Sequence, residues 1–155
     1  MSQPENDRIE KKIVLSAPRA RVWRAISDAA EFGQWFRVRL EGTFHVGATI
    51  VGQITYPGYE HLKLEMHVVE LVPERYFSYR WRPNAVDGDK DYSAEPTTLV
   101  EFTLDDAPDA RGTLLTIVES GFARLPAERR TEAFRSNDGG WSEQLKNIEQ
   151  HVAQA

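Results

Sequence analysis

The order in which hydrophobic patterns follow one another constrains this chain more than any single motif. A short alternating segment and a short helical segment come first, alternating segments fill the middle, and one long amphipathic helix ends the sequence. Alternation with a period of two indicates half-buried strands, whereas an apolar stripe with a period near 3.6 indicates a helix with one buried face. This order predicts an α+β fold in which a curved antiparallel sheet is closed by a C-terminal helix, with room for a pocket between them.

The N-terminal part of the chain predicts one strand and two short helices. Apolar and polar residues alternate over residues 8–15, which indicates a strand. Ser16 is a candidate N-cap for the first helix and Asp28 for the second, because both side chains can accept hydrogen bonds from a first helical turn. The second helix ends in the aromatic pair Trp35 and Phe36.

The middle of the chain predicts six further strands. They are expected near residues 41–46, 48–56, 62–68, 77–82, 98–104 and 113–120. Gly47 and the pair Pro57-Gly58 mark turns between the earlier ones. Residues 83–96 indicate a long loop, and loops of that length are usually functional or mobile.

The final helix is predicted to begin near Pro126. Its apolar stripe consists of Phe134, Trp141, Leu145, Ile148 and Val152. Gly139 and Gly140 interrupt the helical pattern, and each costs about 1 kcal/mol relative to alanine in a helix interior. The glycine pair therefore predicts a kink, a close backbone contact or a break into two pieces.

Composition excludes several classes of function. The net charge is −5, and no basic run is present, so nothing favours binding to nucleic acid. The chain has no cysteine, which excludes disulfides, thiolate metal sites and cysteine-held iron–sulfur clusters. Neither a secretory signal nor an apolar run of membrane-spanning length is present, so we expect a cytoplasmic protein without membrane insertion. Residues 1–7 are expected to be a disordered tail and residues 8–153 a single domain.

Motifs for cofactors and metals are not found in the sequence. No glycine-rich phosphate loop, dinucleotide fingerprint or nucleophile elbow occurs. His61 and His67 could share a strand face, but six residues of strand place them about 20 Å apart, too far for one metal ion. We therefore expect no cofactor and no metal site.

Glu119 is the carboxylate with the clearest functional interpretation. It follows Leu115 and Ile117 with a period of two, so it could face an interior pocket and donate a proton or anchor a polar ligand group. In the opposite facing, Leu114 and Val118 point inward and Glu119 faces water or pairs with an arginine. The sequence leaves both facings open.

Aromatic residues form the second group of candidate site residues. Most are expected to fill the core, because aromatic side chains bury large areas. Tyr79, Trp81 and Trp141 are better candidates for lining a cavity, since their polar tips need partners when they are buried. Trp81 and Trp141 could instead fill that cavity themselves, because a packed core and a lined pocket use the same residue types.

Three segments together resemble a known family. They are Ile13 to Phe36, with its Ala-Pro, Val-Trp and Trp-Phe pairs, Glu119-Ser120-Gly121-Phe122, and Gly139-Gly140-Trp141. The combination resembles the START/Bet v 1-like (SRPBCC) helix-grip superfamily, and within it the bacterial domains similar to the activator of the ninety-kilodalton heat-shock chaperone ATPase. The resemblance covers the chain from about residue 8 to residue 152.

This resemblance implies a sheet of six or seven strands that grips the long helix around a hydrophobic cavity. The lining residues that it implies here are Trp35, Phe36, Tyr79, Trp81, Phe102, Glu119 and Trp141. Members of the superfamily include ligand carriers, polyketide cyclases, aromatases and chaperone activators, so the fold alone does not decide the function.

Three hypotheses about function follow. The first is a protein that binds a small hydrophobic or aromatic ligand and has no chemistry of its own. The second is an enzyme of the cyclase, aromatase or hydrolase kind that uses Glu119 as acid or base. The third, which rests on the resemblance alone, is an interaction module that modulates a chaperone ATPase.

Overall fold

A curved antiparallel sheet of seven strands forms one layer of the protein, and helices form the other. The computed structural model describes residues 8–82, 95–108 and 112–153. The strands are β1 (Arg8–Leu15), β2 (Val38–Glu41), β3 (Thr49–Ile54), β4 (Lys63–Val72), β5 (Tyr76–Trp81), β6 (Thr98–Asp106) and β7 (Thr113–Ser120). Their order across the sheet is β1-β7-β6-β5-β4-β3-β2. The helices are α1 (Arg19–Ser27), α2 (Ala29–Phe36) and α3 (Ala127–Ala153).

These elements confirm the α+β helix-grip fold predicted from the sequence. The predicted tail at residues 1–7 and most of the predicted loop at 83–96 lie outside the described residues. No helix in the described ranges, α3 included, has both the length and the apolar character needed to cross a membrane.

The prediction of a strand at residues 41–46 was wrong. The chain instead enters the sheet directly after α2, and Val38 pairs with Ile54 of the neighbouring strand. Gly42 then takes a positive φ of 106°, which leads the backbone away from the sheet. Phe44 follows outside any strand, and its buried ring packs edge-on against Phe32.

The facing of the last strand, which the sequence left open, is settled by burial. Thr113, Leu115, Ile117 and Glu119 are completely buried, and the residues between them are partly exposed. Glu119 therefore points into the interior between the sheet and α3. The strand lies between the edge strand β1 and β6, and Ile9 of β1 is the register partner of Glu119.

The short helices are set by one cap that was predicted correctly and one that was not. The Asp28 carboxylate accepts hydrogen bonds from the N–H groups of Ala30 and Glu31, as expected for an N-cap. Ser16 does not cap α1, because the helix begins later and Pro18 occupies the N-cap position without a side-chain hydrogen bond.

Helix α3 is continuous through its two glycines over 27 residues. A Cβ atom added at Gly139 or at Gly140 would meet nothing within 4 Å. The predictions of a break and of a close backbone contact at these positions were therefore wrong. The buried residues of the helix are Ala133, Trp141, Ile148 and Val152, which form one stripe along it.

The carboxylate of Glu31 links the three helices through hydrogen bonds. Glu31 of α2 accepts hydrogen bonds from Arg21 at 2.8 Å and Arg24 at 2.7 Å, both on α1, and from His151 of α3 at 2.9 Å. Burial alone would raise the pKa of the Glu31 carboxyl, but the hydrogen bonds from His151, Arg21 and Arg24 outweigh it and lower that pKa.

We expect Glu31→Gln to lower the free energy of unfolding by about 1 kcal/mol near neutral pH, because hydrogen bonds to a charged group are lost. The folded-state pKa of Glu31 lies below its ordinary value of 4.5. Its contribution is therefore present above that pH and is lost as the pH falls through the folded value. Urea unfolding of both proteins between about pH 6 and pH 3 checks this.

The control is Glu10→Gln, since the partners of Glu10 among the described residues are Arg8 and Lys12 on the surface of β1. Exposed pairs of this kind contribute little to stability, so this variant should unfold almost as the unmodified protein does. A stability deficit of Glu31→Gln that stayed constant with pH would contradict the prediction.

Candidate functional site

The centre of the interior contains one carboxylate surrounded by hydrogen-bond donors. Trp81 Nε1 and Trp141 Nε1 each donate to Glu119 at 2.8 Å, to Oε2 and Oε1 respectively. Thr98 Oγ1 donates to Oε2 at 2.5 Å, and Asn137 Nδ2 lies 2.9 Å from Oε1 and 3.1 Å from Oε2. These donors occupy the acceptor positions of both carboxylate oxygens.

Secondary structure brings the four donors to this point. Trp81 and Thr98 are register partners across β5 and β6, and Val100 of β6 is the partner of Glu119 in β7. Asn137 and Trp141 are four residues apart on α3, so their side chains share one helical face. The carboxylate consequently links two neighbouring strands and the long helix.

No lysine or arginine within the described ranges forms an ion pair with Glu119, which is completely buried. Its neighbour Tyr79 is also completely buried, and the Tyr79 hydroxyl has no hydrogen-bond partner in the described part of the chain. Burial, and then the charge of Glu119, raise the pKa of the Tyr79 phenol well above its ordinary value. The Tyr79 hydroxyl thus stays protonated.

Three aromatic rings cover the hydrogen-bonded carboxylate and form what we call the aromatic floor: Phe36, Trp81 and Trp141. The ring centroids of Trp81 and Trp141 lie 5.8 Å apart, and Phe36 lies 5.8 Å from the first and 6.1 Å from the second. Gln144 of α3 donates to the backbone oxygen of Phe36 at 3.1 Å, which holds the end of α2 against the long helix.

A cleft of about 290 Å³ opens above the aromatic floor. The described residues that line it come from the end of α2, from β3 and the turn after it, from the end of β5, and from α3. They are Phe36, Arg37, Ile54, Tyr56, Tyr59, Leu62, Trp81, Ser136, Asn137, Gly140, Trp141 and Gln144. Most of this lining is apolar or aromatic, as is common for small-molecule sites.

Two tyrosines form the outer wall of the cleft, and we call them the tyrosine wall: Tyr56 and Tyr59. Their rings lie 5.7 Å apart and are about half exposed, at 51% and 48%. The turn that carries them is held by backbone hydrogen bonds from Tyr59 to Tyr56 and from Leu62 to Tyr59, both 3.0 Å. Gly58 supplies the positive φ of 94° that this turn requires.

The structure separates the predicted site residues into three groups. Phe36, Trp81 and Trp141 line the cleft, and Glu119 lies directly beneath them. The remaining three are in the core and do not line this cleft: Trp35, Tyr79 and Phe102.

The core residues nevertheless support the site. Trp35 donates through Nε1 to the backbone oxygen of Ala25 at 2.8 Å and so fastens α2 to α1. Phe102 packs edge-on behind Trp141, with ring centroids 5.8 Å apart.

Sequence reasoning missed the tyrosine wall and the polar residues of α3. Tyr56 and Tyr59 flank the predicted Pro57-Gly58 turn, but a turn sequence does not say which way its side chains face. Asn137 had a usable signal, because it precedes Trp141 by four residues and therefore lies on the same helical face.

Other parts of the described surface are less suited to binding an apolar molecule. A depression of about 430 Å³ on the outer side of β2, β3 and β4 is lined mainly by charged or polar side chains, among them Arg39, Glu41 and Lys63. No three histidine, aspartate or glutamate side chains of the described residues converge as metal ligands would.

Solved structures with the same fold are numerous, and their sequences are distant. MLL2253 from Mesorhizobium loti is 21% identical with a TM-score of 0.75, and the alignment covers 96% of this chain and 98% of that one. The Aha1 dimer from Colwellia psychrerythraea is 15% identical with a TM-score of 0.69, covering 94% and 95%. These likenesses show the fold.

DynU16, a putative protein in the dynemicin biosynthetic locus, is 20% identical with a TM-score of 0.74. The alignment covers 97% of this chain but only 48% of DynU16, so the chain spans about half the length of that protein. No curated protein matches the sequence significantly.

The family whose sequence pattern matches this chain is described as "Activator of Hsp90 ATPase homolog 1-like protein". The match runs over residues 16–153, which include both short helices, strands β2 to β7 and the whole of α3. The chain belongs to this family, within the SRPBCC helix-grip superfamily that its sequence resembles.

Proposed function

We propose that this protein binds a small apolar or aromatic molecule in the cleft between the aromatic floor and the tyrosine wall. The observation that carries the proposal is that both floor tryptophans already donate their only side-chain N–H group to Glu119. They offer a ligand only ring surface. A site of this kind binds through burial of apolar area and ring stacking.

The size of the cleft limits the ligand. Small-molecule sites commonly enclose about 300–1,000 Å³, and a volume of about 290 Å³ is at the lower end. A compact molecule of one or two rings therefore fits better than a long lipid chain. Ser136 and Asn137 at the α3 side offer a few polar contacts that could orient it.

The position of Glu119 favours binding over catalysis by this carboxylate. A general acid or base must come within hydrogen-bonding distance of the group it serves. Glu119 is completely buried, it does not line the cleft, and its oxygens are engaged by four donors. In the proposed function it positions the aromatic floor and takes no part in a reaction.

The glycine pair of α3 provides a matched test. Gly140 lines the cleft and Gly139 does not, yet a side chain at either would meet no protein atom within 4 Å of its Cβ. We expect Gly140→Leu to fill the cleft and abolish binding of a naphthalene-type probe, measured by tryptophan fluorescence or calorimetry. Gly139→Leu should bind the probe as the unmodified protein does.

Both leucine variants should be as stable as the unmodified protein or more so, since leucine is favoured over glycine in a helix by up to about 1 kcal/mol. Loss of binding in Gly140→Leu therefore has a steric cause. Equal binding by the two variants would contradict the proposed location of the site.

The anchoring role of Glu119 predicts a large effect on stability. Glu119→Gln keeps the shape but replaces an acceptor oxygen with an NH₂ group that faces donors, so at least one buried N–H loses its partner. We expect the free energy of unfolding to fall by about 2–4 kcal/mol, measured by urea denaturation.

Glu101→Gln is the control for this change. Within the described part of the chain, the Glu101 side chain accepts one hydrogen bond, from the Tyr76 hydroxyl at 2.6 Å, and a glutamine oxygen can still accept it. We expect a loss of less than about 1 kcal/mol. The anchoring role would be refuted by a Glu119→Gln protein that is no less stable than the Glu101→Gln protein.

A further inference from the structure

We propose that the ligand of this cleft is an aromatic carboxylate whose ring lies on the aromatic floor and whose carboxylate meets Arg37 at the mouth. This inference rests on the proposed function and adds the chemical class and the orientation of the ligand. It follows from where charge is placed along the cleft.

Arg37 is the only charged side chain among the described residues that line the cleft. It is exposed, and its guanidinium carbon lies 6.0 Å from the centre of the Tyr56 ring, so it stands at the tyrosine wall. No carboxylate of the described residues forms an ion pair with it. A guanidinium over an aromatic ring keeps donors in its plane that match the two oxygens of a carboxylate.

The opposite charge, that of Glu119, lies behind the deep end of the cleft without lining it. Glu119 lies directly behind the edges of the Trp81 and Trp141 rings, and no cation of the described residues neutralises it. A ligand anion is repelled there, because charges interact more strongly where water is excluded. At the mouth the anion is attracted to the guanidinium of Arg37. The two ends of the cleft thus select one orientation, with the ring inside and the carboxylate outside.

Exposure along the cleft agrees with this orientation. The floor rings Trp81 and Trp141 are 8% and 2% exposed, whereas the tyrosine wall is about half exposed. An apolar ring gains most where water is most completely removed, and a carboxylate keeps part of its hydration at the mouth. A neutral aromatic molecule would use the floor but leave Arg37 without a partner.

Three acid–amide pairs test the inference, because each amide has the shape of its acid without the charge. They are benzoate and benzamide, 2-naphthoate and 2-naphthamide, and indole-3-carboxylate and indole-3-carboxamide. Calorimetric titration of the full chain at low salt should show at least one acid binding roughly fivefold or more tightly than its amide. High salt should reduce that preference, since Arg37 is exposed.

The variants are Arg37→Gln and, as control, Arg39→Gln, which removes the same charge two residues away on β2 without touching this cleft. Arg37→Gln should bind acid and amide equally, and Arg39→Gln should keep the preference for the acid. A preference that survives in Arg37→Gln overturns the inference.

The remaining outcomes separate the inference from the proposed function. If acid and amide bind the unmodified protein equally and Gly140→Leu abolishes both, the cleft is the site but the ligand class is wrong. If none of the six compounds binds the unmodified protein, both the ligand class and the proposed function are overturned.

Discussion

The buried carboxylate of Glu119 holds the two layers of this protein together. Its donors come from β5, β6 and α3, so the same few hydrogen bonds fix the strand facing, the seating of the helix and the angle of two indole rings. A buried charge without a cation is costly unless donors surround it. We explain the buried carboxylate by geometry, since this one acceptor fixes the orientation of both the Trp81 and the Trp141 ring.

The site owes its chemistry to this arrangement. Because the indole N–H groups of Trp81 and Trp141 are bonded to Glu119, these two rings offer the cleft only apolar surface, although a charge lies close behind them. The rim has a positive charge, because the Arg37 guanidinium lies there beside the half-exposed Tyr56. The electrostatic potential therefore changes from the rim of the cleft to its floor. This change distinguishes the cleft from a simple hydrophobic gap between sheet and helix.

The sequence predicted the parts of the fold that bury one periodic face. Strand β1, the strands β4 to β7 and α3 follow from alternation or from an apolar stripe, but the four-residue strand Val38–Glu41 is too short to show a period. The facing of Glu119 could not be read locally, because apolar residues occupy both faces of its strand. Its donors lie 18 to 38 residues away, and the strand register together with the packing of α3 brings them together. The tyrosine wall depends on a turn in which no periodicity operates.

The indole N–H signals of the four tryptophans report on whether a ligand lies against the aromatic floor. A proton–nitrogen correlation spectrum of the labelled protein, titrated with 2-naphthoate, observes Trp81 and Trp141 at the floor and Trp35 in the core. We expect the signals of Trp81 and Trp141 to shift together and saturate, while that of Trp35, bonded to the Ala25 oxygen, stays in place. Unshifted floor signals, or an equal shift at Trp35, would contradict the proposed binding site.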